Sequence, residues 1–292
     1  MAFKDQRPQA SPFRRPLDNF LTGVGKVPFQ QAAFLCGFSL ACLVPALPVQ
    51  GGQPLETETA RLPAAGTGEF ESTVEFQTSS AGQELTLPLA LNYGITDRLE
   101  VMVEPVVYTR IMPDHGSTQS GIGDVESTLT YRLNDETDRL PAFAVAGEIK
   151  FPTATNDFIG TGKTDYTAYL IASKRFGQWD THFNLSYATL GAPSGSVEST
   201  DVVAYAVAVE YRPNAQWEYV AEYITSSSST GSTENGSQGS TAGPAAAEVA
   251  GGETFGTIGL RYNYSARAQF AFGVSYDNNQ AWLFRPGVTI RF

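Results

Sequence analysis

From residue 69 to residue 292 apolar and polar residues alternate with period two, in twelve segments of about 9 to 14 residues. Successive side chains of a strand point to opposite faces, so each segment predicts a strand with one apolar face and one polar or small face. In the last segment, 281–292, Trp282, Phe284, Val288, Ile290 and Phe292 share one face, against Arg285, Gly287, Thr289 and Arg291; Pro286 interrupts the apolar face. The cleanest segment is 83–95, where Leu85, Leu87, Leu89, Leu91 and Tyr93 alternate with Glu84, Thr86, Pro88, Ala90 and Asn92. The others are 69–78, 98–110, 121–133, 140–151, 164–176, 178–190, 201–211, 216–225, 255–264 and 267–277. Segment 164–176 is apolar on both sides, which leaves its facing open.

The connections sort by length. Those after even-numbered segments are short, as at Thr96-Asp97, Gly177 and Ser265-Ala266. Those after odd-numbered segments are mostly longer and rich in Gly, Ser, Thr and Asp, as at 111–120, 152–163, 191–200 and 226–254. Short turns at one rim and long loops at the other describe an outer-membrane barrel, and each segment suits a tilted strand crossing the hydrocarbon layer. The predicted fold is all-β: a transmembrane antiparallel up-and-down β-barrel of twelve strands, with both ends at the short-turn, periplasmic rim. Apolar faces then meet lipid and polar faces line the interior. Tyr93, Phe176, Trp179, Tyr211, Trp217, Tyr262 and Tyr264 cluster beside the short turns, as an interfacial girdle does.

The start of the chain reads differently. Residues 1–51 carry Lys4, Arg7, Arg14, Arg15 and Lys26, then an apolar run over 32–47 that Pro45 and Pro48 end. The run is too short for a spanning helix and reads as an export signal with a long basic region. Residues 52–68 read as a polar periplasmic tether, and 69–292 as the barrel. Both cysteines, Cys36 and Cys42, fall in the signal, so the exported protein has no disulfide framework and no thiolate metal site. Removing 1–51 takes five basic and two acidic residues from totals of 19 and 30, which leaves a charge near −14. That excludes a general nucleic-acid surface.

Ten charged residues are expected to face the interior: Glu100, Glu104, Glu126, Glu148, Lys150, Glu218, Glu222, Arg261, Arg285 and Arg291. They describe either a charged constriction that selects solutes or a salt-bridged filling with no through-path. Gly160 to Thr164, GTGKT, imitates a phosphate loop. A Gly is missing where Asp157 stands and a strand follows instead of a helix, so an exposed loop is the better reading. His182, Asn184 and Ser186 share one strand face, but residues two apart on a strand do not converge as a hydrolytic triad does. With His115 the only other histidine, no catalytic residue, metal site or cofactor is expected.

The run Leu55-Glu56-Thr57-Glu58-Thr59-Ala60, then Tyr93-Gly94-Ile95-Thr96-Asp97-Arg98, Gly121-Ile122-Gly123-Asp124 and Lys150-Phe151-Pro152-Thr153 resembles the outer-membrane family labelled "meta pathway of phenol degradation". The likeness spans 56–292 and marks Gly121, Gly123, Asp124 and Pro152 as motif residues; Ala154 stands where that family usually has Gly. The resemblance implies a barrel that transports small, aromatic compounds. It also suggests that the closing strand, ending on Phe292, is the signal for the insertion machinery. The resulting expectation is a bacterial outer-membrane channel, not an enzyme, whose partners are the lipid bilayer, that machinery and a small-molecule solute. A structural or adhesive barrel with a filled lumen is the first alternative, and a barrel lipid hydrolase the second.

Overall fold

A computed structural model describes residues 52–156, 158–191, 201–227 and 252–292. Residues 1–51, Asp157, 192–200 and 228–251 lie outside these, and so do the export-signal reading and both cysteines. The described residues hold fourteen strands. They are β1 (Gly68–Thr73), β2 (Glu75–Ser79), β3 (Gly82–Thr96), β4 (Leu99–Pro113), β5 (Gln119–Gly121), β6 (Val125–Asn134), β7 (Ala142–Phe151), β8 (Asp165–Phe176), β9 (Trp179–Thr189), β10 (Asp201–Tyr211), β11 (Trp217–Ser226), β12 (Thr254–Asn263), β13 (Ala268–Asp277) and β14 (Trp282–Arg291).

Every pairing is antiparallel, and neighbours follow chain order except that β1 and β2 both pair with β3 and β14, and β5 and β6 both pair with β4. The sheet closes where β14 meets β1, with Arg291 opposite Glu69, and β2, with Trp282 opposite Thr78. β1 and β2 together make one wall strand, and β5 and β6 another, so the barrel has twelve strand positions. The break between β1 and β2 has a cause in β14. Pro286 has no N–H to donate, and the neighbouring strand breaks beside it at Val74, whose amide still reaches the Pro286 carbonyl at 3.0 Å. Pro286 itself points outward with Trp282, Phe284 and Ile290.

The alternation sorts as expected. Thr86, Ala90 and Asn92 are buried inside, while Leu91 and Tyr93 are exposed outside. The same holds around the ring, which leaves an outer belt of Leu, Val, Ile, Phe and Tyr that only lipid would cover. Aromatic pairs close the belt beside the short turns: Trp179 lies 4.5 Å from Tyr211 and Trp217 4.8 Å from Tyr262. Gly177, at φ 62°, supplies the left-handed position of the tight turn between β8 and β9. The expected loop over 111–120 is mostly a hairpin: β4 runs on to Pro113, and β5 pairs back onto it with Gln119 opposite Ile111.

The ambiguous segment resolves into β8 with Tyr166, Leu170 and Phe176 outside and Thr167, Ile171 and Ser173 inside. Its inner face is partly apolar because Ile171 packs with Ala142, Ala144 and Ala146 of β7 against Ala60. Ala60 belongs to the segment expected to be a periplasmic tether. That expectation is corrected: the segment lies inside the barrel.

Candidate functional site

Residues 52–67 form an arch in the lumen. At one foot, beside the short turns, Arg261 donates through Nε to the Gln53 carbonyl at 2.8 Å and through Nη2 to that of Gly52. Leu55 is buried against Ala208 and Val220. At the crown, the amides of Glu56 and Thr57 both donate to Glu222 Oε2, at 2.9 and 3.0 Å, and the Thr57 hydroxyl adds a third bond at 2.9 Å. Asn184 brackets Glu58, accepting from its amide at 2.6 Å and donating to its carbonyl at 2.8 Å. The chain then descends. The Ala60 amide donates to Ser173 Oγ at 2.9 Å, and Arg61 reaches Asp180 at 2.8 Å and Glu136 at 2.6 Å. Ala65 and Gly66 tie the second foot to Asp97 and to the Gly94 carbonyl. An irregular segment inside a barrel must still satisfy its amides, and here wall side chains replace a strand partner. The alternation of Glu and Thr reads as solvated sequence, but the side chains of Glu56, Thr57 and Thr59 and the backbone of Glu58 are held by the wall.

One side of the lumen is electrostatically matched. Arg261 Nη1 lies 2.8 Å from Glu210 and 2.7 Å from Glu218, and Arg212 closes on the same two acids at 2.6 and 3.1 Å. Asp180 takes Arg175 at 2.6 Å in addition to Arg61. Arg285 pairs with Glu56 of the arch and lies 3.3 Å from Glu75; Arg291 pairs with Glu69 at 2.8 Å. Of the ten expected interior residues, Glu218, Arg261, Arg285 and Arg291 therefore sit in ion pairs, and Glu222 is bonded to the arch. Lys150 is buried and pairs with Asp165, with Asp124 at 3.8 Å.

The opposite side is unmatched. Glu100, Glu104, Glu126 and Glu148 line one cavity of about 150 Å³ together with Glu58, Tyr169 and Asn92. Glu104 stands directly opposite Glu126 across β4 and β6. Lys150 stands opposite Glu126 on the next strand but gives its ammonium to Asp165. Glu148 is held by the hydroxyls of Tyr169 at 3.0 Å, Thr167 at 3.2 Å and Thr128 at 3.4 Å. Among the described residues, no basic side chain forms an ion pair with any of these five glutamates.

Two acids outside the spanning strands are displaced in opposite directions. Burial, then the carboxylates of Glu148 and Glu71, pushes Glu58 of the arch up to about 7. At Glu136, in the turn after β6, burial also pushes upward, but the Arg175 amide and the Arg61 and Lys174 side chains outweigh it and hold the group down at about 2.

Of the family-motif residues, Asp124 and Gly121 anchor a loop, away from the cavity. Asp124 accepts the Ala154 amide at 2.8 Å. A Cβ on Gly121 would come within 2.1 Å of Thr155 Oγ1, and one on Gly123 within 2.7 Å of Val106 Cβ. Gly121 thus lets the loop that follows Pro152 fold down onto the β5–β6 junction, and Gly123 lets that junction lie against β4. Phe292 exchanges backbone bonds with Gly68, both at 2.9 Å, and its ring faces outward.

Sequence reasoning missed Asp180, Glu210 and the arch itself. The ligand atoms of Asp180, His182 and Glu210 lie within 4.8 Å of one another, a spacing a metal ion could use. Arg61, Arg175 and Arg261 already compensate the two carboxylates, so the set reads as an ion-pair network. Ser173 Oγ lies 2.8 Å from His182 Nδ1, but it is fully buried under the Ala60 amide. The available signal was Leu55, Ala60 and Leu62, apolar residues that a solvated tether does not need.

Residues 52–292 match the sequence model of the family described as "Putative MetA-pathway of phenol degradation". Solved structures share the fold. An outer membrane channel from Pseudomonas putida F1 matches with a TM-score of 0.57 at 13% identity, over 84% of this chain and 100% of that one. The NanC porin matches with 0.53 at 13% identity, over 76% and 98%. The KdgM porin matches with 0.50 at 9% identity, over 77% and 99%. No curated protein matches the sequence.

Proposed function

The chain belongs to this phenol-degradation family of outer-membrane barrels, and from that premise we propose that it is a channel for passive passage of small solutes, aromatic compounds among them. The observation that carries the reading is what fills the lumen. An arch of the same chain occupies it, beside a cavity whose lining includes Glu100, Glu104, Glu126 and Glu148, none of them in an ion pair among the described residues. Twelve strands lie between the size that side chains fill and the size that leaves an open pore, so a narrow path past an arch is a reasonable geometry. Residues 1–51 are proposed as the export signal. The barrel is then inserted in the outer membrane of a Gram-negative cell, with Phe292 in the strand that the insertion machinery reads.

A permanently filled lumen is the competing reading, favoured by the many bonds between arch and wall. Hydrolysis is disfavoured, because Ser173 is sealed under Ala60 and Asn184 is committed to the arch. Single-channel recording in a planar bilayer decides between pore and filling. Discrete steps from the intact protein, larger when 52–61 are deleted and blocked by a small phenol or aromatic acid, are the expected result. Silence from a properly inserted barrel in both forms would mean a filled lumen.

A further inference from the structure

We infer that the acidic cavity is a binding site for a small organic ammonium ion, so that the solutes this channel selects include amines. The inference takes its access route from the channel reading. It starts from a chemical imbalance. Glu58, Glu100, Glu104, Glu126 and Glu148 converge on one cavity, and among the described residues none of them forms an ion pair; Arg61 also lines the cavity but is paired with Asp180 and Glu136, while the other half of the same lumen pairs its charges closely. Carboxylates directly opposite one another on a sheet, as Glu104 and Glu126 are, repel. Unpaired charges removed from water are costly, and a cation between them relieves both costs.

A second observation is independent of the acids. Asn92 lines the same cavity and is 8% exposed, and its Oδ1 accepts no hydrogen bond. A buried acceptor without a donor indicates a missing donor. An ammonium group offers three N–H donors and no acceptor. Glu104, Glu126 and Asn92, on adjacent strands of one wall, provide two carboxyl acceptors and one amide oxygen, the Asn92 Nδ2 being committed to Glu71 at 3.4 Å.

The size and lining favour an organic cation over a bare metal ion. A cavity of about 150 Å³ far exceeds one ion; an apolar cavity of about that volume holds benzene. Its wall also carries Met102, Ala204 and Ile224, which suit a short alkyl or aryl body behind the charged head.

The test is isothermal titration calorimetry on the full chain, exported and purified from outer membranes in detergent. The probes are benzylammonium chloride, benzyl alcohol as its neutral counterpart, and calcium chloride. Saturable benzylammonium binding is expected, with benzyl alcohol at least ten-fold weaker. Glu104→Gln and, separately, Glu126→Gln should each weaken it at least ten-fold, with folding confirmed by the mobility of unheated samples on a gel. Equal binding of benzyl alcohol, unchanged binding in both variants, or saturation by calcium with none by benzylammonium would overturn the inference. Conductance of the same preparation separates this from the channel reading. A conducting protein that ignores benzylammonium refutes only the site, and a silent protein that binds it refutes only the pore.

Discussion

Arg61, Glu136 and Glu58 decide how firmly the arch is held. Arg61 bridges Asp180 and Glu136. Removing one partner of a buried pair costs about 3–5 kcal/mol, but Asp180 keeps Arg175, so Arg61→Ala should cost about 1–3 kcal/mol. The readouts are a lower thermal midpoint and faster proteolysis within 52–67. The two glutamates titrate in opposite senses. Glu136 falls from 4.5 to about 2 in the folded protein, so its stabilisation is full above about 4.5 and fades as pH drops toward 2. Glu58 rises from 4.5 to about 7 when seated, so its penalty is absent below 4.5, grows through the interval and is complete above 7. Conductance of the intact protein should therefore rise several-fold between mildly acidic and mildly alkaline buffer as the arch loosens. Glu58→Gln should flatten that rise, and an unchanged profile would remove Glu58 from the account.

At the scale of the element, the arch depends on missing side chains in the wall. Pro54 lies over Gly259 and Gly273, where a Cβ on Gly273 would stand 2.5 Å from Pro54 Cβ with no wall atom closer than 3.6 Å. Gly273→Ala should thus strain the arch and spare the strand, weakening its seat by about 1–3 kcal/mol, the usual cost of overpacking. Larger conductance steps are expected, and adding Pro54→Gly should relieve the strain; no rescue would place the fault in the strand. The wall strands were legible because period-two alternation survives wherever one face meets lipid. β8 was legible as a strand but not in its facing, since Ile171 turns an apolar side chain inward to pack on Ala60. The arch was not legible for a different reason. Glu56 bonds to Glu222, 166 residues away, and the local pattern of a solvated tether is the same as that of a segment whose partners are distant. The motif glycines were visible as points in the sequence, but their tasks, Gly121 making room for Thr155 and Gly123 for Val106 of β4, appear only with those side chains in place.

For the whole molecule, the lumen divides by charge. The β9–β14 side pairs its arginines and acids, while the β4–β7 side leaves carboxylates facing a cavity. A path whose charged lining is mainly acidic, with Arg61 the one basic side chain among the described lining residues, favours counter-ions between low-dielectric walls, so potassium should pass in preference to chloride. Reversal potentials in a potassium chloride gradient measure this directly. Glu104→Gln provides the sharper test because the two readings of that residue move two observables apart. If Glu104 only fills space, its replacement leaves selectivity unchanged. If it is retained for the solute, removing its repulsion with Glu126 should stabilise the barrel by about 0.2–1 kcal/mol. The same change should lower the cation preference. A variant gaining stability as it loses selectivity is the behaviour of a wall that carries like charges for what passes it, and a variant losing both would mean that Glu104 supports the fold.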